Sequence, residues 1–293
     1  MRILVTGGTG FIGAHLCRAL RSAGHAVTVV SRDPAAVEGS AIDWGAVPDA
    51  VREADAVVNL AGEPIAARRW RAAQKERIRE SRVGATRTLV AASGGAEPRP
   101  RILVSTSAIG YYGPHGDEPL DETAGPGAGF LAEVCQAWER EALAAEPLGL
   151  RVVRLRIGVV LAAGGGALER MVPAFRRFVG GPIGSGTQWM SWIHRDDVTG
   201  LVVDALEQES YRGAVNATAP HPVTNREFAA ALGAVLARPA RLRAPAWTLR
   251  LALGEMAEML LTRQRVLPQA AQALGYRWRY PELGAALRVS VRA

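Results

Sequence analysis

Two periods alternate along the chain. Ile3-Leu4-Val5 is a continuous apolar run ending at Thr6, the pattern of a short strand buried on both faces. Beyond a glycine-rich turn, Ile12, Leu16 and Leu20 recur at i, i+4 and i+8, one apolar helix face that Gly24 closes. Ala26-Val27-Thr28-Val29-Val30 returns to the strand pattern with β-branched residues. The pattern then predicts a weak strand at 40–43, a short helix, a buried strand at 54–60 and a mostly helical stretch at 68–92. An apolar strand at 101–104, a helix beginning at Phe130 and a buried strand at 150–157 follow. In that last strand Arg154 and Arg156 alternate with apolar residues and are expected to point outward. A helix to Phe178, a glycine-rich loop at 180–189 and a helix to Glu207 come next, the last with Asp196 as its expected N-cap. From Pro222 the chain reads as helices at 225–237, 247–261 and 267–274, punctuated by Arg238-Pro239, Pro245 and Pro268.

Strands alternating with helices predict an α/β fold, a Rossmann-type doubly wound parallel sheet with a smaller, mainly helical C-terminal substrate lobe. Residues 1–160 form the nucleotide-binding core and 190–220 return to it. Residues 161–189 and 221–293 build the smaller lobe. No repeat, low-complexity segment or long linker interrupts this plan.

Composition narrows the function classes. The 293 residues are 48% hydrophobic and 22% charged, as in a globular protein. No apolar run reaches the length of a membrane span, so no membrane partner is expected. The chain opens directly on a strand, without a signal-peptide pattern, and a cytoplasmic location is expected. Cys17 and Cys135 lie far from any metal-ligand spacing and read as two reduced thiols, so no metal site is expected. The net charge of +7 is almost all arginine, since Lys75 is the only lysine. These arginines are scattered, with no aromatic interleaving and no helix-turn-helix spacing, which argues against a nucleic-acid partner.

Chemistry is concentrated in the first turn. Gly7, Gly10 and Gly13 fall inside a strand–turn–helix context. Gly7 suits the tight turn, Gly10 lets the N–H groups around Thr9, Phe11 and Ile12 approach a diphosphate, and Gly13 lets the helix pack on the strand. An NAD-selecting site places a carboxylate at the tip of the second strand. Here Ser31-Arg32 stands there, a hydroxyl and a guanidinium suited to a 2′-phosphate, so the expected cofactor is NADP(H). Asp43 is a candidate for the adenine side. The small residues of Asn59-Leu60-Ala61-Gly62 suit backbone lying against a ribose, and Arg82 is a candidate phosphate ligand.

The chain resembles the extended short-chain dehydrogenase/reductase superfamily, through Thr6 to Gly13, Asn59 to Gly62, Ser105-Thr106-Ser107 and Ile193-His194-Arg195-Asp196-Asp197. More narrowly it is similar to the atypical "epimerase family" proteins labelled cell-division-inhibitor-like. That likeness rests on Val58 to Ile65, Ser107 to Gly113, Met190 to His194 and Asn216 to Pro220. The resemblance implies NADP binding, with Ser105 and Val160 as further cofactor contacts and the segment from Gly158 to Leu161 beside the nicotinamide. It also implies a Tyr-x-x-x-Lys pair, in which the lysine activates a proton-transferring tyrosine. Position 71, four residues before Lys75, is arginine, so the pair is missing. The tyrosine site holds Phe130 or Leu131, and the lysine site Val134 or Cys135.

Three residues are candidates for the lost chemistry. Ser107 is placed to bond a substrate carbonyl, and Tyr111, beside Tyr112, either replaces the tyrosine or packs the loop. His194 is either an acid/base or a structural residue, and with Gln188, Trp189 and Trp192 it forms a substrate pocket or a lobe core. Two functions remain open. One is an NADP(H)-dependent oxidoreductase or epimerase acting on a carbonyl or sugar-like small molecule. The other is a catalytically inactive NADP(H)-sensing protein, a homodimer or one that acts through a regulatory protein partner.

Overall fold

The computed structural model describes residues 1–292. In chain order, the first half holds β1 (Arg2–Thr6), α1 (Gly13–Ser22), β2 (Ala26–Val30), β3 (Ala41–Ile42), α2 (Val47–Glu53), β4 (Ala56–Asn59), α3 (Ala72–Gly94), β5 (Ile102–Ala108), β6 (Pro119–Leu120) and α4 (Phe130–Leu143). Then come β7 (Arg151–Ile157), β8 (Val159–Leu161), α5 (Gly166–Arg176), β9 (Trp189–Met190), β10 (Trp192–His194), α6 (Arg195–Glu207) and β11 (Gly213–Ala217). The tail adds β12 (Val223–Thr224), α7 (Asn225–Leu236), α8 (Ala246–Leu253), α9 (Glu258–Leu261), β13 (Arg265–Val266), α10 (Gln269–Ala273) and α11 (Leu283–Arg292).

Seven strands form one sheet in the order β11-β7-β5-β4-β1-β2-β3, every pair parallel. The order reverses between β1 and β4, so the crevice at their carboxyl ends is where a ligand is received in such sheets. Each face is covered, as an all-parallel sheet requires. Leu16 and Leu20 of α1 and Val198, Leu201 and Val202 of α6 bury one face against Ile3, Val5, Val58 and Val104. Val47 and Val51 of α2, Leu89 and Val90 of α3 and Ala142 of α4 bury the other against Leu4, Val57, Leu103 and Val152. Each such leucine or valine contributes roughly 1.5–3 kcal/mol by leaving water.

A third cluster, around Trp192, Phe175, Phe228 and Leu287, fills the smaller lobe. The tail does not stay within that lobe. β13 pairs with β6, and Ala271 of α10 packs into the core cluster beside β11.

The structure departs from the sequence pattern in several places. The long helix starts at Ala72 rather than 68 and ends at Gly94. The helix before the glycine-rich loop stops at Arg176, and Phe178 is left-handed, with φ of 64°. The helix expected at 247–261 is broken at Gly254, whose φ of 62° cannot continue a right-handed helix, leaving α8 and α9 joined by a single tight turn. Asp196 is not the N-cap of α6. His194 takes that place, its Nδ1 accepting the Asp196 backbone N–H at 3.2 Å. Neither Arg154 nor Arg156 points out into water, because the Glu139 carboxylate on α4 draws both guanidiniums inward.

Candidate nucleotide cleft and acid/base network

Only glycine fits the first turn. Gly7 has φ of 67°, and a Cβ there would stand 2.5 Å from the Leu60 carbonyl oxygen, so the turn lies directly on the end of β4. A Cβ on Gly13 would run into the Gly7 carbonyl oxygen, and Gly10 closes the turn by donating to that same oxygen at 3.0 Å. The N–H groups of Phe11 and Ile12 have no acceptor among the described residues. Unpartnered amides at the start of α1, in a cradle that any side chain would fill, fit a diphosphate. The Phe11 ring is packed between Gly165, Gly166 and the Arg195 guanidinium, which stands 4.9 Å from its centroid. Arg195 is half-buried and its Nε has no partner, so a cation faces this turn.

Fixed polar bonds hold the neighbouring strand ends. Thr6 Oγ1 donates to Asn59 Oδ1 at 2.7 Å, and Asn59 Nδ2 donates to Thr86 Oγ1 at 2.8 Å. Asn59 is thus a buried fastener, and it is the backbone of Leu60, Ala61 and Gly62 that faces the crevice. Arg82 Nη1 donates to the carbonyls of Glu63 and Ile78 at 3.1 Å each, and no carboxylate lies within ion-pairing distance. Burial pulls its pKa below the ordinary guanidinium range. A Cβ on Gly62 would come within 3.0 Å of this guanidinium. The Ser105 hydroxyl is buried without a partner, and Val160 sits half-buried on β8 opposite Ile193.

At the adenine end, Ser31 Oγ accepts the Asp33 N–H and bonds its carbonyl, forming a local turn that leaves Arg32 exposed. Asp43 Oδ1 accepts the Ala46 N–H at 3.1 Å, so one of its oxygens is engaged in the turn leading to α2.

The other end of the crevice holds the candidate acid/base residues. Leu131 and Cys135 of α4 pack on Gly110, and Glu139, one turn on, reaches β5. That face therefore presents Leu131 and Cys135, with no tyrosine or lysine. Burial raises the Cys135 thiol to about 11. The single lysine lies elsewhere. Lys75 pairs with Glu255 of the lobe, and its Nζ stands 5.1 Å from the Phe130 ring.

Beside Cys135 lies a network that the pattern reading missed. Ser107 Oγ donates to Glu139 Oε1 at 2.8 Å. The same carboxylate takes Arg154 Nη1 at 2.8 Å and two nitrogens of Arg156 at 2.8 and 2.9 Å. Arg156 Nη1 donates on to the Tyr112 hydroxyl at 3.0 Å, which donates to Asn216 Oδ1 at 2.7 Å. Burial pushes the Tyr112 phenol up to about 12, against the opposing pull of Arg156. The Arg156 guanidinium also covers the Tyr111 ring at 3.5 Å from its centroid. Tyr111 is half-exposed, and among the described residues its hydroxyl has no hydrogen-bond partner. The detectable signal was Glu139, a charge at i+4 and i+8 from Cys135 and Leu131 on an otherwise apolar face.

The Gln188–Trp192–His194 group does not form one pocket. Trp192 is wholly buried and donates to the His221 carbonyl, and Gln188 Nε2 donates to the carbonyls of Ile183 and Leu260. Trp189 is half-buried, bonded to Asp117 and covered by Arg265 at 4.7 Å. His194 is buried against Tyr280, and desolvation lowers its pKa to about 4.

Residues 3–217 match the model of the NAD dependent epimerase/dehydratase family. The chain belongs to that family. Residues 244–289 match a second model, described as a domain of unknown function. The Arabidopsis thaliana epimerase family protein SDR39U1 homolog, chloroplastic, is 43% identical over 98% of this chain and 86% of its own length. An epimerase family protein of Mycobacterium tuberculosis is 41% identical over 97% of this chain and 96% of its own. The crystal structure of human epimerase family protein SDR39U1 with NADPH superposes with a TM-score of 0.94 at 39% identity, covering 100% of this chain and 99% of that one. The sheet, the crevice and the lobe are therefore those of this family. Among the described residues no helix is long and apolar enough to cross a membrane, and no group of His, Cys, Asp or Glu could hold a metal ion.

Proposed function

We propose that this protein is an NADP(H)-dependent oxidoreductase or epimerase acting on a carbonyl or sugar-like small molecule. The observation that carries this reading is the buried Ser107–Glu139–Arg156–Tyr112 network, set under a tyrosine with a free hydroxyl. Burying a carboxylate and a guanidinium costs several kcal/mol per ion before their attraction is counted, and such arrangements cluster at functional sites. NADP(H) is supported by the unpartnered amides at Phe11 and Ile12, by the exposed Arg32, and by the NADPH in the human relative.

Bound NADP(H) supplies or takes up the hydride. Tyr111 gives a proton to the substrate oxygen, and the Arg156 guanidinium on its ring face offsets the negative charge left behind. Ser107 has its own proton committed to Glu139, so its lone pairs accept from a substrate hydroxyl. His194, neutral and capping α6, holds Arg195 toward the glycine turn. A cytoplasmic location is part of this reading and rests on the two free, buried thiols.

The test is turnover of a carbonyl panel with NADPH. Tyr111→Phe is expected to lower kcat by about a hundredfold or more, and Ser107→Ala less. Full turnover in Ser107→Ala, Tyr111→Phe and His194→Ala alike overturns the site. A second reading, an NADP(H)-sensing protein without turnover, is favoured by the absence of a Tyr-x-x-x-Lys pair, with Phe130 or Leu131 at the tyrosine site and Val134 or Cys135 at the lysine site. It predicts NADPH binding, no turnover, and a partner or homodimer contact that changes with cofactor.

A further inference from the structure

We propose that the smaller lobe carries a docking surface for an anionic phospholipid bilayer. Six large apolar side chains are exposed, and five of them fall in two short stretches: Phe178 and Val179 after α5, and Leu242, Trp247 and Leu251 in and before α8. The fold brings these stretches together. Arg238 lies 4.7 Å from the Phe178 ring, Gly181 lies against Leu242, and Ile183 pairs with Ala244. None of the residues of α8 is buried, and Trp247 and Leu251 stand one turn apart on it, 67% and 74% exposed. A contiguous apolar patch of this kind marks an interaction surface.

Charge selects the occupant. Stretches 176–184 and 238–250 contain Arg176, Arg177, Arg238, Arg241, Arg243 and Arg250, and neither contains a carboxylate. Among the described residues only Arg250 has an ion-pair partner, Glu258 at 3.0 Å. A second copy of the chain would set this basic face against itself. The apolar side chains are more than half exposed, so they project from the surface and do not line a groove that a partner helix would fill. Projecting Trp, Phe and Leu tips ringed by guanidiniums suit the headgroup region of an anionic bilayer, where aromatic rings settle at the interface and arginines meet phosphates. The absence of a spanning helix is no obstacle, because this is surface association built from stretches far apart in the chain.

The test is co-sedimentation of the full chain with vesicles of phosphatidylcholine alone and of phosphatidylcholine mixed equally with phosphatidylglycerol. Binding to the mixed vesicles only, falling as salt rises, is expected. Trp247→Ser with Leu251→Ser should weaken it at least about tenfold, and Arg241→Gln with Arg243→Gln about thirtyfold. Unchanged NADPH affinity in both variants shows that the fold is intact. No sedimentation with mixed vesicles overturns the proposal, and an acidic protein that binds this face instead would be the alternative. Equal binding to both vesicle types, or binding that survives both double substitutions, overturns it as well.

Discussion

Glu139 is the residue whose removal should cost this fold most for its size. Its carboxylate is 4% exposed and takes bonds from Ser107, Arg154 and Arg156, the last itself 3% exposed. Glu139→Leu leaves the Arg156 guanidinium buried without its counter-charge. Breaking one side of such a pair costs about 3–5 kcal/mol, a large share of the roughly 5–15 kcal/mol available to a domain. Glu139→Gln keeps an acceptor for Ser107 but loses the charge, so about 1.5–3 kcal/mol is expected. Arg156→Leu should cost as much as Glu139→Leu, because Glu139 then keeps only Arg154. The double variant should be less destabilised than the sum of the two singles, by about 2 kcal/mol. Urea unfolding at neutral pH, with unchanged slope, measures all four species. The surface pair Arg87–Glu141, 59% and 25% exposed, is the internal comparison. Its loss should cost under about 1 kcal/mol and fade in salt, whereas the Glu139 effect should persist. Glu139→Leu costing under about 1 kcal/mol, or strict additivity in the cycle, would refute the claim that the network is desolvated and coupled.

Other consequences can be measured directly. Gly13→Ala drives a methyl into the Gly7 carbonyl and should weaken NADPH binding at least about tenfold. Gly24→Ala, which meets nothing within 4 Å but has φ of 82°, should cost only stability. Arg32→Glu sets a carboxylate against the 2′-phosphate, so NADPH affinity should fall about tenfold to a hundredfold relative to NADH. An unchanged ratio in fluorescence titration would remove Ser31-Arg32 as the selector. His194 has its pKa lowered from 6.5 to about 4, so the unfolded chain binds the proton more tightly. The stability it contributes is full above pH 6.5 and is lost as pH falls toward 4, up to about 3 kcal/mol. In His194→Asn, which keeps a capping acceptor, the acid-side loss should be flatter in urea titrations across that window.

What the sequence made legible were the features written in local patterns. The glycines at 7, 10 and 13 declare the turn because each answers a backbone constraint, and the β-branched runs declare the strands because a parallel sheet buries both faces. Arg156 was not legible, since the alternation around it is the same whether the side chain meets water or a carboxylate from a helix earlier in the chain. Asp196 reads as a cap by residue type, but three-dimensional packing gives the capping role to the His194 ring two residues earlier. Trp192 and Trp189 are three residues apart and similar in sequence context. One is core and the other half-buried, because β10 pairs with β8 inside the lobe cluster and β9 pairs with the short strand β12. The basic apolar face on the lobe was hidden for the same reason, as its halves are distant in sequence and meet through the Ile183–Ala244 pairing and the Gly181–Leu242 and Arg238–Phe178 contacts.

Arg82 of α3 stands beside the face of α4 that carries Cys135. Arg82 lies close enough to Cys135 for each to shift the other's titration, and two carboxylates act there as well, Glu63 on the guanidinium and Glu139 on the thiol. A lysine at position 135 would set a second cation beside the Arg82 guanidinium, where burial weakens screening and like charges repel. A small, neutral, buried thiol is what that neighbour permits. Positive charge near Cys135 and Tyr111 comes from Arg82 on α3 and Arg156 on β7, and the Arg156 guanidinium covers the Tyr111 ring. The sheet and the glycine turn do not depend on where these cations are rooted, because backbone glycines and buried aliphatics hold them.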